Sequence, residues 1–293
     1  MNLQEALVHG KKLLNIEDIE TPAAEAGVIL CHVIKKEKVY LYSHGEESLT
    51  TEQQDMFFEL LEQRAKGKPL QYITGIQEFM ALDFVVNENV LIPRHDTEIL
   101  VETVIDYVKR GVLNKEDNVR ILDIGTGSGC IAVSLAHYLP NIGVYALDIS
   151  KKALETAHLN SVKNDVEQKI RFINSDILEI IREGCYRELQ DIPFDIVVSN
   201  PPYISKKAVE GLKKEVKHFE PYNALCGGDD GLDFYRALNK GISNLLKSGG
   251  FIALEIGYDQ ADEVKELFKD TCSDIKIIKD FSGNDRVCCG ILK

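Results

Sequence analysis

The segment Ile121-Leu122-Asp123-Ile124 is an apolar run that enters Gly125-Thr126-Gly127-Ser128-Gly129 and leaves as the helical pattern of residues 130–138. A strand, a Gly-x-Gly-x-Gly turn and a helix in that order admit few folds. The glycines reach positive φ and let backbone pass close to a ligand, while the unpaired N–H groups of the helix start face an anion. Beyond Pro93 the alternation continues, with residues 119–124, 143–147, 170–173, 194–199 and 251–255 reading as strands separated by helical stretches. This predicts βαβ units and a mainly parallel sheet covered on both faces. Residues 275–278 and 287–292 are close enough in sequence to pair as an antiparallel edge.

A nicotinamide-binding turn would place its third glycine at position 130, which is Cys130, so the turn points to a nucleotide-like cofactor of another kind. The next strand ends in Asp148, about 20 residues on, the spacing at which an acid meets ribose hydroxyls in such sheets. Asp148 is read as that ribose ligand; the alternative is membership of the following helix cap with Ser150. Asp176, after the third strand, either accepts from an adenine amino group or caps the helix that begins at Ile177.

After the fourth strand comes Asn200-Pro201-Pro202-Tyr203. Two consecutive prolines remove two backbone donors and stiffen the chain, which leaves the Asn200 side chain and the Pro201 carbonyl as fixed acceptors beside an aromatic ring. Those features hold a planar –NH2 group: two acceptors take its two hydrogens and orient the nitrogen lone pair, and Tyr203 packs on the planar face. No general base is evident, so alignment and electrostatics carry the chemistry. The competing reading is a rigid turn that closes a strand.

The first 70 residues read as a small helical bundle: Leu3, Leu7, Leu13 and Leu14 recur near helical spacing, and Pro22 suits the first turn of a second helix. A third helix is expected to start at Thr51 as N-cap with Gln54 completing a capping box, and to stop near Gly67-Lys68-Pro69. Residues 71–92 carry short strand-like runs, Phe79-Met80 and Phe84-Val85-Val86, and read as a β-hairpin linker. The longest loop candidates are residues 183–191 and 205–231. Residues 93–293 make up the third part, the sheet domain.

Composition narrows the classes. With 34 basic and 47 acidic residues the net charge is −13, which disfavours a general phosphate-neutralising surface, so nucleic acid is not expected as a direct substrate. Lys206, Lys207, Lys213, Lys214 and Lys217 form the one local basic cluster, readable as a solvated helix face or as a site for an acidic partner or RNA. No apolar run approaches the roughly 18–20 residues of a membrane span, so a cytoplasmic protein is expected. The 7 cysteines show no Cys-x-x-Cys pair and the 7 histidines no ligand spacing, so neither a disulfide framework nor a metal is expected.

The turn and strand order resemble the class I S-adenosylmethionine-dependent methyltransferases, whose α/β domain is seven-stranded and Rossmann-like. The resemblance implies that Asp123, Gly125, Thr126, Gly127, Ser128 and Gly129 hold the methionine end of S-adenosylmethionine. It implies further that Asp148 grips the ribose, Asp176 and Ile177 lie beside the adenine, and Asn200 borders the methyl donor. The tetrad resembles the branch that methylates amino or amide nitrogen. Further segments resemble the N5-glutamine methyltransferases of peptide chain release factors: Pro69-Leu70-Gln71-Tyr72-Ile73-Thr74-Gly75, Leu91-Ile92-Pro93-Arg94 with Asp96-Thr97-Glu98, Phe219-Glu220-Pro221 with Gly227-Gly228, Asp230-Gly231-Leu232-Asp233, Leu254-Glu255-Ile256-Gly257 and Asp285-Arg286-Val287. That family implies a helical domain that docks the protein substrate, a Gly-Gly-Gln glutamine inserted beside Asn200, Pro201, Pro202 and Tyr203, and Arg94 as a further substrate contact. Arg94 reads equally as a surface ion pair with Glu98. His95 stands where the family has proline, and Ile177 where it has a bulkier residue. Glutamine methylation of a ribosomal protein, amino methylation of adenine or guanine, and a non-catalytic cofactor-binding subunit are the alternatives.

Overall fold

The computed structural model describes residues 1–16, 19–111, 118–183, 189 and 194–293. The chain divides into two compact units, Met1–Ile76 with Lys213–Phe219, and Gln77–Leu212 with Glu220–Lys293.

The first unit is helical, built from Leu3–Ile16, Pro22–Ile34, Lys38–Ser43, Thr51–Ala65 and Leu70–Thr74, together with Lys214–Phe219. Pro22 opens its helix, where a missing N–H costs nothing. The capping box falls one residue before the expected one. Thr50 Oγ1 accepts from the Gln53 N–H at 3.2 Å, and Gln53 Oε1 accepts from the Thr50 N–H at 3.0 Å. Thr51 is already helical, so only Thr50 has the extended backbone that turns its hydroxyl back onto the first turn. Leu3, Leu14, Ile29, Leu30, Phe57 and Leu61 fill the core. At its edge the buried Arg64 meets Glu25 at 2.5 Å, Glu215 at 3.0 Å and the Lys68 carbonyl at 3.2 Å, which fastens residues 213–219 to these helices.

The second unit carries all nine strands of the described residues except the first residue of β1. β1 (Ile76–Phe79) and β2 (Leu82–Val85) form a hairpin. Met80, expected in a strand, instead forms the turn with Ala81, at φ 51° and 56°. Two consecutive left-handed residues are what a two-residue hairpin requires. Bonds from Met80 N–H to Glu98 (2.8 Å) and from Tyr138 Oη to the Met80 carbonyl (2.5 Å) hold the turn without glycine.

The main sheet comprises β3 (Val119–Ile124), β4 (Ile142–Asp148), β5 (Ile170–Asn174), β6 (Phe194–Ser199), β7 (Leu246–Glu255), β8 (Cys272–Lys279) and β9 (Asp285–Leu292). Their order is β5-β4-β3-β6-β7-β9-β8, and β9 alone runs antiparallel to its neighbours. The central strands are apolar almost throughout because both faces are covered. Ile121, Ile196 and Ala253 join Leu100, Val104 and Val133 on one side, while Leu122, Val197 and Ile252 join Tyr235, Leu238 and Ile242 on the other. The stretch expected as a loop over 205–231 contains the short helices Lys206–Val209, Lys214–Phe219 and Tyr222–Leu225. The other loop candidate, 183–191, lies outside the described residues apart from Glu183 and Leu189.

Candidate active site

Strand register assembles the site. Ile124 pairs with Leu147 on one side and Ser199 on the other, and Ser199 pairs with Leu254. The residue after each of these, Gly125, Asp148, Asn200 and Glu255, therefore stands in one row along the carboxyl edge of the sheet. The row spans the switch point between β3 and β6, where open α/β sheets bind ligands.

The glycine turn divides its labour. Gly125 is exposed at φ +74°, and a Cβ there would meet nothing within 4 Å. Gly129, at φ +80°, lies so close to the helix Lys151–Lys163 that a Cβ would come within 2.9 Å of Ala157 Cβ. Gly127 gives its N–H to Asp148 Oδ2 at 2.9 Å, and Asp148 Oδ1 accepts from Ser150 N–H at 2.8 Å. Ser150, not Asp148, caps the helix, through Ala153 N–H at 3.2 Å. Burial raises the Asp148 pKa against these backbone bonds. Thr126 and Ser128 are buried: the Thr126 hydroxyl donates to Asp123 Oδ2 at 2.6 Å, and the Ser128 carbonyl accepts from Asn160 Nδ2 at 2.8 Å. Burial pushes Asp123 up to about 7. Its Oδ1 has no hydrogen-bond partner among the described residues. Asp176 Oδ1 accepts from Leu178 N–H (2.8 Å) and Glu179 N–H (3.4 Å), a helix-capping arrangement, and Ile177 is buried in the core.

In the tetrad, Asn200 Nδ2 donates to the buried Thr97 hydroxyl at 3.1 Å. Tyr203 Oη donates to Glu255 Oε1 at 3.2 Å, and the Tyr203 carbonyl accepts from Gln260 Nε2 at 3.0 Å. Burial holds the Tyr203 phenol well above its ordinary pKa. Glu255 is 1% exposed, and burial raises it to about 7 against the opposing pull of Thr97, Arg286 and Tyr203. Pro201 is buried. Beneath the tetrad, a Cβ on Gly227 would lie 2.4 Å from the Pro202 carbonyl oxygen, and one on Gly231 2.2 Å from that of Tyr203. Arg94 pairs with the buried Glu220 at 2.5 Å, which removes the Arg94–Glu98 pair from consideration; Glu98 serves Met80 and His95 instead. His95 is exposed. Within the lysine cluster, Lys213 pairs with Glu20 at 2.5 Å.

Two family models match, the PrmC N-terminal domain over residues 5–75 and the methyltransferase small domain over 98–216. A release factor glutamine methyltransferase of Koribacter versatilis is 38% identical over 290 residues, 99% of this chain and 98% of that protein. One from Moorella thermoacetica is 41% identical over 288 residues, 98% of this chain and 97% of its own. The chain belongs to the release factor glutamine methyltransferase family. A crystal structure of the release-factor-specific protein-(glutamine-N5) methyltransferase of Alicyclobacillus acidocaldarius is also similar, at 31% identity and a TM-score of 0.42, covering 72% of this chain and 99% of that one. As a member of this family the chain is an S-adenosylmethionine-dependent methyltransferase of the class I fold.

The site suits that cofactor. Gly125 borders open space, Asp123 keeps a buried oxygen without a partner among the described residues, and Asp148 stands beside Gly125 in the row. Sequence reading gave no role to four residues that complete this family member's site: Thr97, Glu255, Gln260 and Asn160. Thr97 and Glu255 lie inside quoted family segments but are joined to the tetrad only by the fold. Asn160 sits mid-helix, fully buried, and ties the hairpin at Val85 (2.6 and 2.9 Å) to the glycine turn at Ser128. Its one signal is an amide on the apolar side of a helix, which the sequence shows but does not explain. Among the described residues no group of side chains could hold a metal ion, and no helix is long and apolar enough to cross a membrane.

Proposed function

We propose that this chain methylates the side-chain amide nitrogen (N5) of the glutamine in the Gly-Gly-Gln motif of peptide chain release factors, working in the cytoplasm. The observation that carries this reading is the Asn200 amide. Its Nδ2 is engaged by Thr97, so its Oδ1 is the end left to accept a hydrogen from substrate. A group with two N–H hydrogens engages both this oxygen and the Pro201 carbonyl, whereas a hydroxyl supplies one hydrogen and a carbonyl none.

S-adenosylmethionine supplies the electrophilic methyl group when bound. In this reading Asp123 and residues 125–129 hold its methionine end, Asp148 accepts from the ribose hydroxyls, and Asp176 and Ile177 frame the adenine. Asn200 Oδ1 and the Pro201 carbonyl accept the two hydrogens of the substrate amide, which aims the nitrogen lone pair and offsets the positive charge that develops there. Pro202 stiffens the turn and Tyr203 packs on the amide plane. The surplus proton leaves the nitrogen after transfer, so no side chain acts as a base. In this reading Arg94, steadied by Glu220, contacts the release factor. The helical residues 1–70 dock the body of that protein, and 71–92 link them to the catalytic residues 93–293.

The test is transfer of radiolabelled methyl to a purified release factor, to its Gly-Gly-Gln glutamine-to-alanine variant, to ribosomal proteins and to DNA, with Asn200→Ala as the inactive control. Label confined to the intact release factor and absent with Asn200→Ala supports the reading. Label on ribosomal protein or DNA replaces the substrate, and full activity of Asn200→Ala removes the proposed role of the tetrad.

A further inference from the structure

A side-chain amide has two hydrogens to give and an oxygen to receive, and Asn160 uses all of them on backbone. Its Oδ1 accepts from the Val85 N–H at 2.6 Å, while its Nδ2 donates to the Val85 carbonyl at 2.9 Å and to the Ser128 carbonyl at 2.8 Å. The residue is 0% exposed, so water does not stand in for any of these partners. The paired bonds to Val85 act as a strand partner would and fix the plane of the amide, which leaves its remaining hydrogen one direction, toward Ser128. Turning the amide over would set its nitrogen against the Val85 N–H and its oxygen against a carbonyl. The hairpin therefore decides where the amide points, and the amide points at the glycine turn.

The Ser128 carbonyl belongs to the peptide that joins Ser128 to Gly129, and the other end of that peptide, the Gly129 N–H, donates to the Thr126 carbonyl at 2.8 Å. Asn160 and Thr126 thus hold one peptide plane from both sides. Ser128 is 2% exposed, so without Asn160 its carbonyl is a buried acceptor that must rotate to find a donor. Gly129 already lies against Ala157 of the same helix, so the peptide has no room to relax toward that helix. We infer that Asn160 is a positioning residue of the cofactor site: it fixes the Ser128–Gly129 peptide, and through it the hairpin backbone at Val85 sets the shape of the turn that receives S-adenosylmethionine, a role that rests on the reading that residues 125–129 hold the methionine end of that cofactor. A mere staple between hairpin and helix is the competing role, and two other bonds serve as one without reaching the turn: Asn87 Nδ2 to Thr156 Oγ1 at 3.1 Å, and Asn164 Nδ2 to the Asp83 carbonyl at 3.3 Å.

The test compares Asn160→Leu, Asn160→Asp, Thr156→Val and Gly125→Ala in the full chain, with affinity for S-adenosylhomocysteine by calorimetry, steady-state kinetics with a release factor, and amide hydrogen exchange. Asn160→Leu is expected to weaken cofactor affinity about 10-fold, the scale set by one buried polar group left unpaired. KM for S-adenosylmethionine should rise with it while kcat at saturating donor stays near the parent's, because the tetrad is untouched. Asn160→Asp keeps the acceptor for the Val85 N–H but loses the donor to Ser128, and should weaken affinity as Asn160→Leu does. Thr156→Val removes the Asn87 link on the same helix and should leave cofactor affinity unchanged. In Asn160→Leu the Gly129 amide should lose protection from exchange, while the Gly125 amide, bonded to the Leu147 carbonyl at 2.8 Å, keeps its own. Gly125→Ala places a methyl group in the open space beside the turn and should weaken affinity directly. Weakened binding by Gly125→Ala beside unchanged affinity of both Asn160 variants overturns the inference alone, as does an equal loss with Thr156→Val or unchanged protection at Gly129. Unchanged affinity of Gly125→Ala overturns the underlying reading and this inference with it. Should Asn160→Leu fail to fold, Asn160→Asp, which keeps the shape of the side chain, decides by the same comparisons.

Discussion

Asp123 is fully buried, accepts one hydrogen bond through Oδ2 and leaves Oδ1 without a partner among the described residues. Burial lifts its pKa from an ordinary 3.8 to about 7. Between those values the unfolded chain releases the proton that the folded chain keeps, so this residue stabilises the fold least at high pH. Its favourable contribution is complete below pH 3.8 and is lost as pH rises through about 7. Asp123→Asn removes the ionisation while keeping an acceptor for Thr126. The variant is expected to be more stable than the parent at pH 8, by about 2–4 kcal/mol, with the advantage shrinking toward pH 4. Urea unfolding at a series of pH values checks this, and a pH-independent difference would contradict it. Cofactor affinity should fall in the same variant, as it does when a functional site holds an unfavourably placed charge. At this scale the sequence was legible where a role depends on neighbours in the chain: Asp123, Asp148 and Asn200 each lie within one residue of a strand's carboxyl end, inside a recognisable motif. Thr97 lies 103 residues before Asn200 and Glu255 lies 52 after Tyr203; the pairing of β6 with β7 brings Glu255 to the tetrad, and the folding of the segment before the helix Glu98–Lys109 brings Thr97. No local pattern distinguishes a threonine that orients an amide from one that caps a helix.

The tetrad's backbone is held from below by a second glycine segment. Gly227 passes where a Cβ would lie 2.4 Å from the Pro202 carbonyl oxygen and 2.9 Å from Tyr203 Cα, and Gly231 combines φ +82° with a 2.2 Å approach to the Tyr203 carbonyl oxygen. Both obstacles are backbone, which cannot rotate away. Gly231→Ala should therefore displace the tetrad and lower kcat about 100-fold, since small misplacements of a reacting group carry that penalty. Affinity for S-adenosylhomocysteine, measured by calorimetry, should persist because the glycine turn after β3 is untouched. Gly129→Ala should do the reverse in part: a Cβ 2.9 Å from that of Ala157 forces two helices apart at the cofactor turn, so cofactor affinity should fall first. Equal effects of the two substitutions on cofactor affinity would contradict this division. The strands and the helix Cys130–Tyr138 were readable because apolar alternation and glycine punctuation are local signals. The cap at Thr50 and the turn at Met80 were displaced by one residue because Thr50 and Thr51 are chemically alike and neither Met80 nor Ala81 is a turn-former. The short helices after the tetrad were not readable, since segments of 4 to 6 residues carry too little periodicity.

The chain does not simply complete one unit and begin another. It leaves the helical residues at Ile76, builds the sheet unit to Leu212, returns to the helical unit for Lys213–Phe219 and resumes the sheet unit at Glu220. Ion pairs help secure the return: Arg64 reaches Glu25 and Glu215, 151 residues downstream, and Lys213 reaches Glu20. A lysine-rich stretch within a loop reads in sequence as a solvated face, which is why this crossing was not legible. Arg64 is nearly inaccessible, so its substitution leaves the partly buried Glu25 and Glu215 without a countercharge. Arg64→Met is expected to destabilise the helical unit by about 3 kcal/mol, the usual penalty of removing one partner of a buried ionic cluster. Hydrogen exchange locates the consequence. The Val216 and Lys217 amides, bonded to the Lys213 carbonyl at 3.1 and 3.0 Å, should lose protection, while amides of β3 and β6 should keep theirs. Phe219 is followed directly by Glu220, which grips the Ile92 N–H and Arg94 ahead of Thr97. Release of the returning segment should therefore lower methyl transfer while leaving cofactor affinity intact. Unchanged protection at Val216 and Lys217, or an equal loss across the sheet, would show that the ionic cluster does not hold the crossing.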